Sequence, residues 1–144
     1  MAQVLYQNGS SVKVFGNDTE TPLHGLALNG DLEMVQVFLE YGVDVDCPNR
    51  NGSTLLDYAS RGSRRNDRST VARLLIERGA DPNTRGYGGF TPLHWASEAG
   101  RIETARLLIE HGANVEAKNN RGKTPLDVTQ GDEMTKLLLE LSEK

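Results

Sequence analysis

Apolar positions along the chain fall into two kinds of short block that alternate, with polar stretches between them. The first kind follows a threonine: after Thr21, residues Leu23, Leu26 and Ala27 share one face at helical spacing. The second kind is denser and ends at a glycine, as in Met34, Val35, Phe38 and Leu39 before Gly42, Leu74-Leu75-Ile76 before Gly79, and Leu107-Leu108-Ile109 before Gly112. Each block predicts a short amphipathic helix whose apolar stripe must be covered by a neighbour. Thr21 or Thr91 can cap the first helix, with proline in the first turn, where a missing N–H costs nothing. Gly30 marks a tight turn into the second helix, which points Met34, Val35, Phe38 and Leu39 inward. Gly42 is placed to take the left-handed conformation that ends it. The Asp-, Asn- and Gly-rich stretch from Asp44 to Gly52 reads as a protruding hairpin.

This unit recurs. Thr21-Pro22-Leu23-His24 returns as Thr91-Pro92-Leu93-His94, and in altered form as Thr54-Leu55-Leu56-Asp57 and Thr124-Pro125-Leu126-Asp127, with threonine spacings of 33, 37 and 33 residues. Leu39-Glu40-Tyr41-Gly42, Ile76-Glu77-Arg78-Gly79 and Ile109-Glu110-His111-Gly112 recur in phase, and Gly52, Gly89 and Gly122 each precede the next threonine by two residues. Self-similarity at a fixed period is the signature of a repeat architecture. The pattern resembles the ankyrin repeat, whose unit carries the Thr-Pro-Leu-His signature, and the resemblance covers nearly the whole chain. It implies an all-α repeat, an α-solenoid of helix-turn-helix units joined by β-hairpin fingers, in which Ala27, Ala59 and Ala96 let neighbouring inner helices approach closely. The expected organisation is a single domain over 1–144: a partial repeat at 1–20, repeats at 21–53, 54–90 and 91–123, and a capping repeat at 124–144.

Three stretches depart from a uniform array. In the first sixteen residues, Asn8-Gly9 between apolar runs fits a two-residue hairpin turn. Leu5, Gly9 and Val12 also stand 33 residues before Phe38, Gly42 and Val45, which favours a half repeat lacking its inner helix. The second repeat holds four extra residues between its helices, within the arginine-rich stretch 61–70. The last repeat runs 13 residues from Thr124 to Leu137, against 16 from Thr91 to Leu107, so its inner helix or turn is shortened.

Composition narrows the functional classes. Among 144 residues, 37% are apolar and 15 are glycine, which suits thin repeated layers better than one large core. Cys47 is the only cysteine, so no intramolecular disulfide can form and a reducing, intracellular compartment is expected, cytoplasmic with the nucleus also open. No apolar run approaches a membrane span, and the N-terminus lacks the blocks of a signal peptide. The net charge of −4 argues against nucleic acid. That figure averages unlike segments, from −4 in the first full repeat to +3 in the second.

Candidate chemistry is sparse. His24 and His94, with Asp57 and Asp127 in register, are the residues a general-base reading would use. The resemblance implies instead that this position hydrogen-bonds backbone and finger groups. His111 precedes a helix-ending glycine, where a cation suits the helix dipole. Cys47 has no activating histidine beside it, and Gly86-Tyr87-Gly88-Gly89 lacks the Lys-Ser/Thr ending of a phosphate loop, so it reads as a finger tip needing positive φ. Neither an enzyme nor any cofactor is implied, and no small-molecule substrate. The resemblance implies a monomeric module that binds a protein through finger tips and inner-helix positions. Mapped onto this chain, these include Arg50, Asn51, Tyr58, Arg61, Tyr87, Phe90, Trp95, Glu98, Arg121 and Lys123, with Arg64 and Arg65 added by the basic insertion. Tyr58, Tyr87, Phe90 and Trp95 would form an aromatic cluster, suited to a partner with apolar anchors beside acidic residues.

Overall fold

A computed structural model of the chain describes residues 22–29, 31–49, 51–61, 69–129 and 131–142. The expectations for 1–20, Thr21, Gly30, Arg50, Arg64 and Arg65 lie outside the described residues. Within the described residues the chain forms four helix pairs and no strand: α1 (Pro22–Asn29) with α2 (Leu32–Glu40), α3 (Leu55–Arg61) with α4 (Thr70–Glu77), α5 (Pro92–Ala99) with α6 (Ile102–Glu110), and α7 (Pro125–Val128) with α8 (Asp132–Ser142). The first helix of each pair packs on the first helix of the next, and the second helices do likewise in an outer row.

The core is continuous through these layers. Val35, Leu55, Leu56, Leu75, Leu93, Leu108 and Met134 are all sealed from water, and a fully buried side chain of this size contributes about 1.5–3 kcal/mol. Ala27, Ala59 and Ala96 are buried in the inner row, where small side chains permit close approach. Val35 and Leu39 point inward on α2, with Phe38 half-buried. Met34 does not join them: it is 41% exposed. It lies roughly 120° around the helix from the Val35–Leu39 line, too far to reach a core on one side. Gly42, Gly79 and Gly112 all take positive φ (96°, 92° and 98°) at the ends of the outer helices, as their position predicts.

Capping follows one scheme at Thr54, Thr91 and Thr124. The hydroxyl of Thr91 accepts from His94 N–H, and His94 Nδ1 accepts from Thr91 N–H in return. Asp57 and Asp127 take the histidine's place in the same reciprocal box at Thr54 and Thr124. The fingers are closed by backbone turns without ladder enough for a strand: Asn49 N–H donates to Ser53 O, Gly86 N–H to Phe90 O and Asn119 N–H to Lys123 O. Asp44, Asp81 and Asn114 hold the backbone two residues on. Asp46 and Asn83 then accept from the next layer, at Asp81 N–H (3.1 Å) and Asn114 N–H (2.8 Å). The last layer has the shortened inner helix that its spacing predicts, since α7 has 4 residues where α5 has 8.

The histidines knit the layers together. His94 Nδ1 accepts from a backbone N–H, so its proton sits on Nε2, which donates to Lys123 O at 2.8 Å in the next finger. His24 Nε2 lies 3.0 Å from Cys47 O and 3.1 Å from Ser53 O and serves its own following finger in the same way. Both rings are buried, and burial lowers the pKa of each below the usual histidine value, so both are neutral at pH 7. His94→Ala is therefore expected to cost about 2–4 kcal/mol in urea unfolding, because it strands Lys123 O and opens a void. Asp127→Ala, at an exposed cap with no described finger beyond it, should cost far less. Equal losses would contradict the interlayer role of the imidazole.

Candidate protein-interaction surface

The residues that sequence reasoning assigned to the surface are not all brought together. Trp95, on α5, is half-buried; Phe90, at the base of the preceding finger, lies against it with ring centroids 4.5 Å apart. Arg61, at the end of α3, places its guanidinium 4.8 Å from the Trp95 centroid, within cation–π range. Phe90 also touches the His94 ring at 5.3 Å, so the cluster rests on the residue that ties one layer to the next. Tyr87 opens a short 3-10 turn (Tyr87–Gly89) and is 59% exposed. Gly88 and Gly89 both take positive φ there, as the finger-tip reading requires. A Cβ on Gly89 would come within 2.8 Å of Asn120 N, so only glycine lets the third finger rest on the second.

Tyr58 is a correction. It is only 7% exposed, because its ring packs edge-on against His24 at 5.3 Å and its hydroxyl accepts from Asn49 Nδ2 at 2.8 Å. Its ring braces the first finger from behind, and Arg61 lies 5.7 Å from that ring as well as over Trp95. The exposed aromatic face is thus Tyr87, Phe90 and Trp95, with Arg61 as its cationic cover.

Beside these rings is a groove of about 590 Å³, whose walls include Tyr87, Phe90, Glu98, Arg121, Lys123 and Val128. Glu98, Arg121 and Lys123 are exposed, and Asn51 is exposed one finger earlier. Val128 and Asp127 were not among the expected residues. They reach the groove because α7 stops after one turn, and the short Thr124–Leu137 interval is the signal that could have found them. Arg85 was also missed. Its guanidinium donates to Gly89 O and Asn120 Oδ1, both at 3.4 Å, and so joins the second finger to the third.

The groove contains both signs of charge, but Asp127 is engaged in its cap. The Thr124 hydrogen bonds hold its carboxyl below the usual carboxylate range, with Lys123 and His94 adding smaller pulls. The Trp95 indole N–H is buried with no hydrogen-bond partner among the described residues. Cys47 is buried within the first finger. No helix among the described residues is long and apolar enough to cross a membrane, and no group of three or more His, Cys, Asp or Glu among them could hold a metal ion.

Comparison with known proteins places this geometry. A family model for ankyrin repeats in three copies matches residues 1–86 and again 63–144. A transient receptor potential cation channel subfamily A member 1 homolog from Caenorhabditis elegans is 33% identical over 105 residues, 72% of this chain and 8% of that protein. Ankyrin repeat and SOCS box protein 16 from Mus musculus is 37% identical over 84 residues, 56% of the chain and 18% of that protein. Cyclin-dependent kinase 4 inhibitor B from Bos taurus is 36% identical over 90 residues, 62% of the chain and 65% of that protein. The chain thus spans a small part of the first two relatives and about two thirds of the third. With the recurring Thr-Pro-Leu-His boxes, paired helices and glycine-tipped fingers, these matches establish that the chain belongs to the ankyrin-repeat family.

Proposed function

We propose that the chain is a non-catalytic, intracellular interaction module whose binding face is the finger and inner-helix surface around Trp95. Ankyrin repeats generally mediate protein–protein interaction, and two of the relatives carry inhibitor or SOCS-box names. The observation that carries the reading is the Arg61–Trp95–Phe90 stack. It places a cation and two rings on one surface, beside exposed Tyr87 and the groove under Arg121 and Lys123. Aromatic and arginine side chains of this kind dominate binding hot spots.

The complementary partner is a protein segment with an apolar anchor for the rings and acidic residues for the cations. Among the described residues, the Arg121 and Lys123 side chains make no hydrogen bond or ion pair, so their charge is available. Asn51 and Glu98 edge the same face. Arg50, Arg64 and Arg65 extend the proposed set by repeat register and add to the +3 charge of the second repeat. Binding there acts by recruiting, masking or competing for the partner.

Two measurements test this reading. Trp95 is the only tryptophan, so its fluorescence reports on this surface alone. Removing the guanidinium in Arg61→Met should raise acrylamide quenching while costing about 0.5–1 kcal/mol of stability. Unchanged quenching would place Arg61 away from the indole in solution. In affinity capture followed by quantitation of the captured partner, Trp95→Ala with Tyr87→Ala should weaken binding by roughly 30-fold or more while circular dichroism stays native. Undiminished capture by the folded double variant would sink the aromatic face and favour a spacer role. Charge reversal at Arg121 and Lys123 should weaken binding and flatten its dependence on salt.

A further inference from the structure

The residue three positions after each capping threonine meets the finger that follows it. His24 meets the finger containing Asn49, and His94 meets the finger containing Asn119. In both, the asparagine folds inward: Asn49 Oδ1 accepts from Asn51 and Ser53 N–H, and Asn119 Oδ1 accepts from Arg121 and Lys123 N–H. Between them the chain uses a different pair. Asp57 stands in the histidine position, and in the next finger Gly86 stands in the asparagine position.

The two replacements fit each other. A carboxyl is shorter than an imidazole, and the finger backbone comes down onto it. A Cβ on Gly86 would lie 2.9 Å from Asp57 Oδ2 and 2.9 Å from Gly52 O, so no asparagine fits opposite the acid. Asp57 is 1% exposed. Its Oδ2 accepts from Thr54 N–H, the role His94 Nδ1 plays for Thr91, whereas its Oδ1 is buried with no partner among the described residues. The imidazoles offer their finger an N–H. An ionised carboxylate offers only lone pairs, and only a protonated acid has a hydrogen to give.

We propose that the contact between the second and third layers is a proton-loaded joint: with a proton on Asp57 the finger closes on a neutral acid, and loss of that proton buries an unpaired charge and loosens the joint. Burial pushes the Asp57 carboxyl up to about 7, against the downward pull of its Thr54 hydrogen bonds and of Arg61. The titratable and charged groups on elements packed around α3 are His24 on α1, Arg73 and Glu77 on α4, His94 and Glu98 on α5, Arg85 in the finger and Arg61 on α3 itself. Of these, Arg61 is the one whose charge registers at Asp57.

The direction of the pH effect follows by linkage. The folded state keeps a proton on Asp57 that the unfolded chain releases near the ordinary aspartate value, so this contribution to stability is lost as pH rises from about 4 through about 7. His24 and His94, with lowered values, act oppositely and lose their contribution as pH falls below about 6.5. The comparison must therefore be made against a variant that retains both histidines.

Asp57→Asn does so and keeps the size of the side chain. In urea unfolding of the full chain, the unfolding constant of the wild type should rise about 30-fold more than that of Asp57→Asn between about pH 5.5 and about pH 8.5. Parallel pH courses for the two proteins, or a gap that widens toward acid, would overturn the proposal. Carbon-13 titration of the Asp57 carboxyl in the wild type needs no variant to fold: a midpoint near 7 is expected, and one near 4 overturns it. Gly86→Asn should destabilise the wild-type background, and Asp57→His with Gly86→Asn should recover most of the loss. A double variant no more stable than Gly86→Asn alone would count against the paired contact.

Discussion

The imidazole N–H that crosses from one layer to the next finger is the interaction on which the stack depends. A single helix pair here has two short helices, too few to close a core, and its finger carbonyls would otherwise be left to water. His94 answers both needs because its two nitrogens are fixed in opposite roles, Nδ1 accepting within its own capping box and Nε2 donating to Lys123 O. The ring therefore locks the start of an inner helix to the finger beyond it. Neutrality is a condition of this arrangement, since a second ring proton would face the Thr91 N–H. Burial enforces that condition at both His24 and His94.

Much of this was legible because repeats multiply weak signals. A lone Thr-Pro-Leu-His predicts a capped helix; the same box returning at fixed spacing predicts a stack, and the glycines in phase predict where helices stop. The positive φ of Gly42, Gly79 and Gly112 was readable on those grounds. What was not readable is which side of a position neighbouring layers cover. Met34 looked apolar and therefore inward, but the outer row leaves that arc of α2 uncovered. Tyr58 looked like a surface anchor by register. Its burial depends on a contact with His24 and a hydrogen bond from Asn49, two elements that no periodicity links. Asp57 and Gly86 each looked like ordinary variation and acquire meaning only as neighbours.

The candidate surface owes its form to departures from the repeat. A full inner helix in the last layer would continue past Val128; α7 stops after a single turn, and the space beside Arg121, Lys123 and Glu98 stays open. The glycines of the second finger have a similar effect. They turn Tyr87 outward and let Asn120 N–H reach Gly88 O at 2.9 Å, so the finger tips form one rigid edge beside the rings. Affinity gained on a surface already held in place is not spent on ordering it. Regular repeats build the frame, and the irregular ones give it an address.

The same logic bears on where the stack gives way. In a linear array each layer touches only its neighbours, so the weakest contact sets the lowest-energy opening. Two of the three joints described are bridged by a neutral ring that donates to the finger; the middle one is bridged by an acid with a buried, unpartnered oxygen. Arg61 belongs to the helix on one side of that joint, and Trp95 to the helix on the other. Their 4.8 Å contact spans the joint on the outside just as Asp57 and Gly86 span it within. Loosening the buried pair must separate the exposed one, so a partner that holds Arg61 and Trp95 together would draw the joint closed and favour the protonated acid. Binding at the surface and the charge state of Asp57 are then two readings of one equilibrium, coupled in both directions.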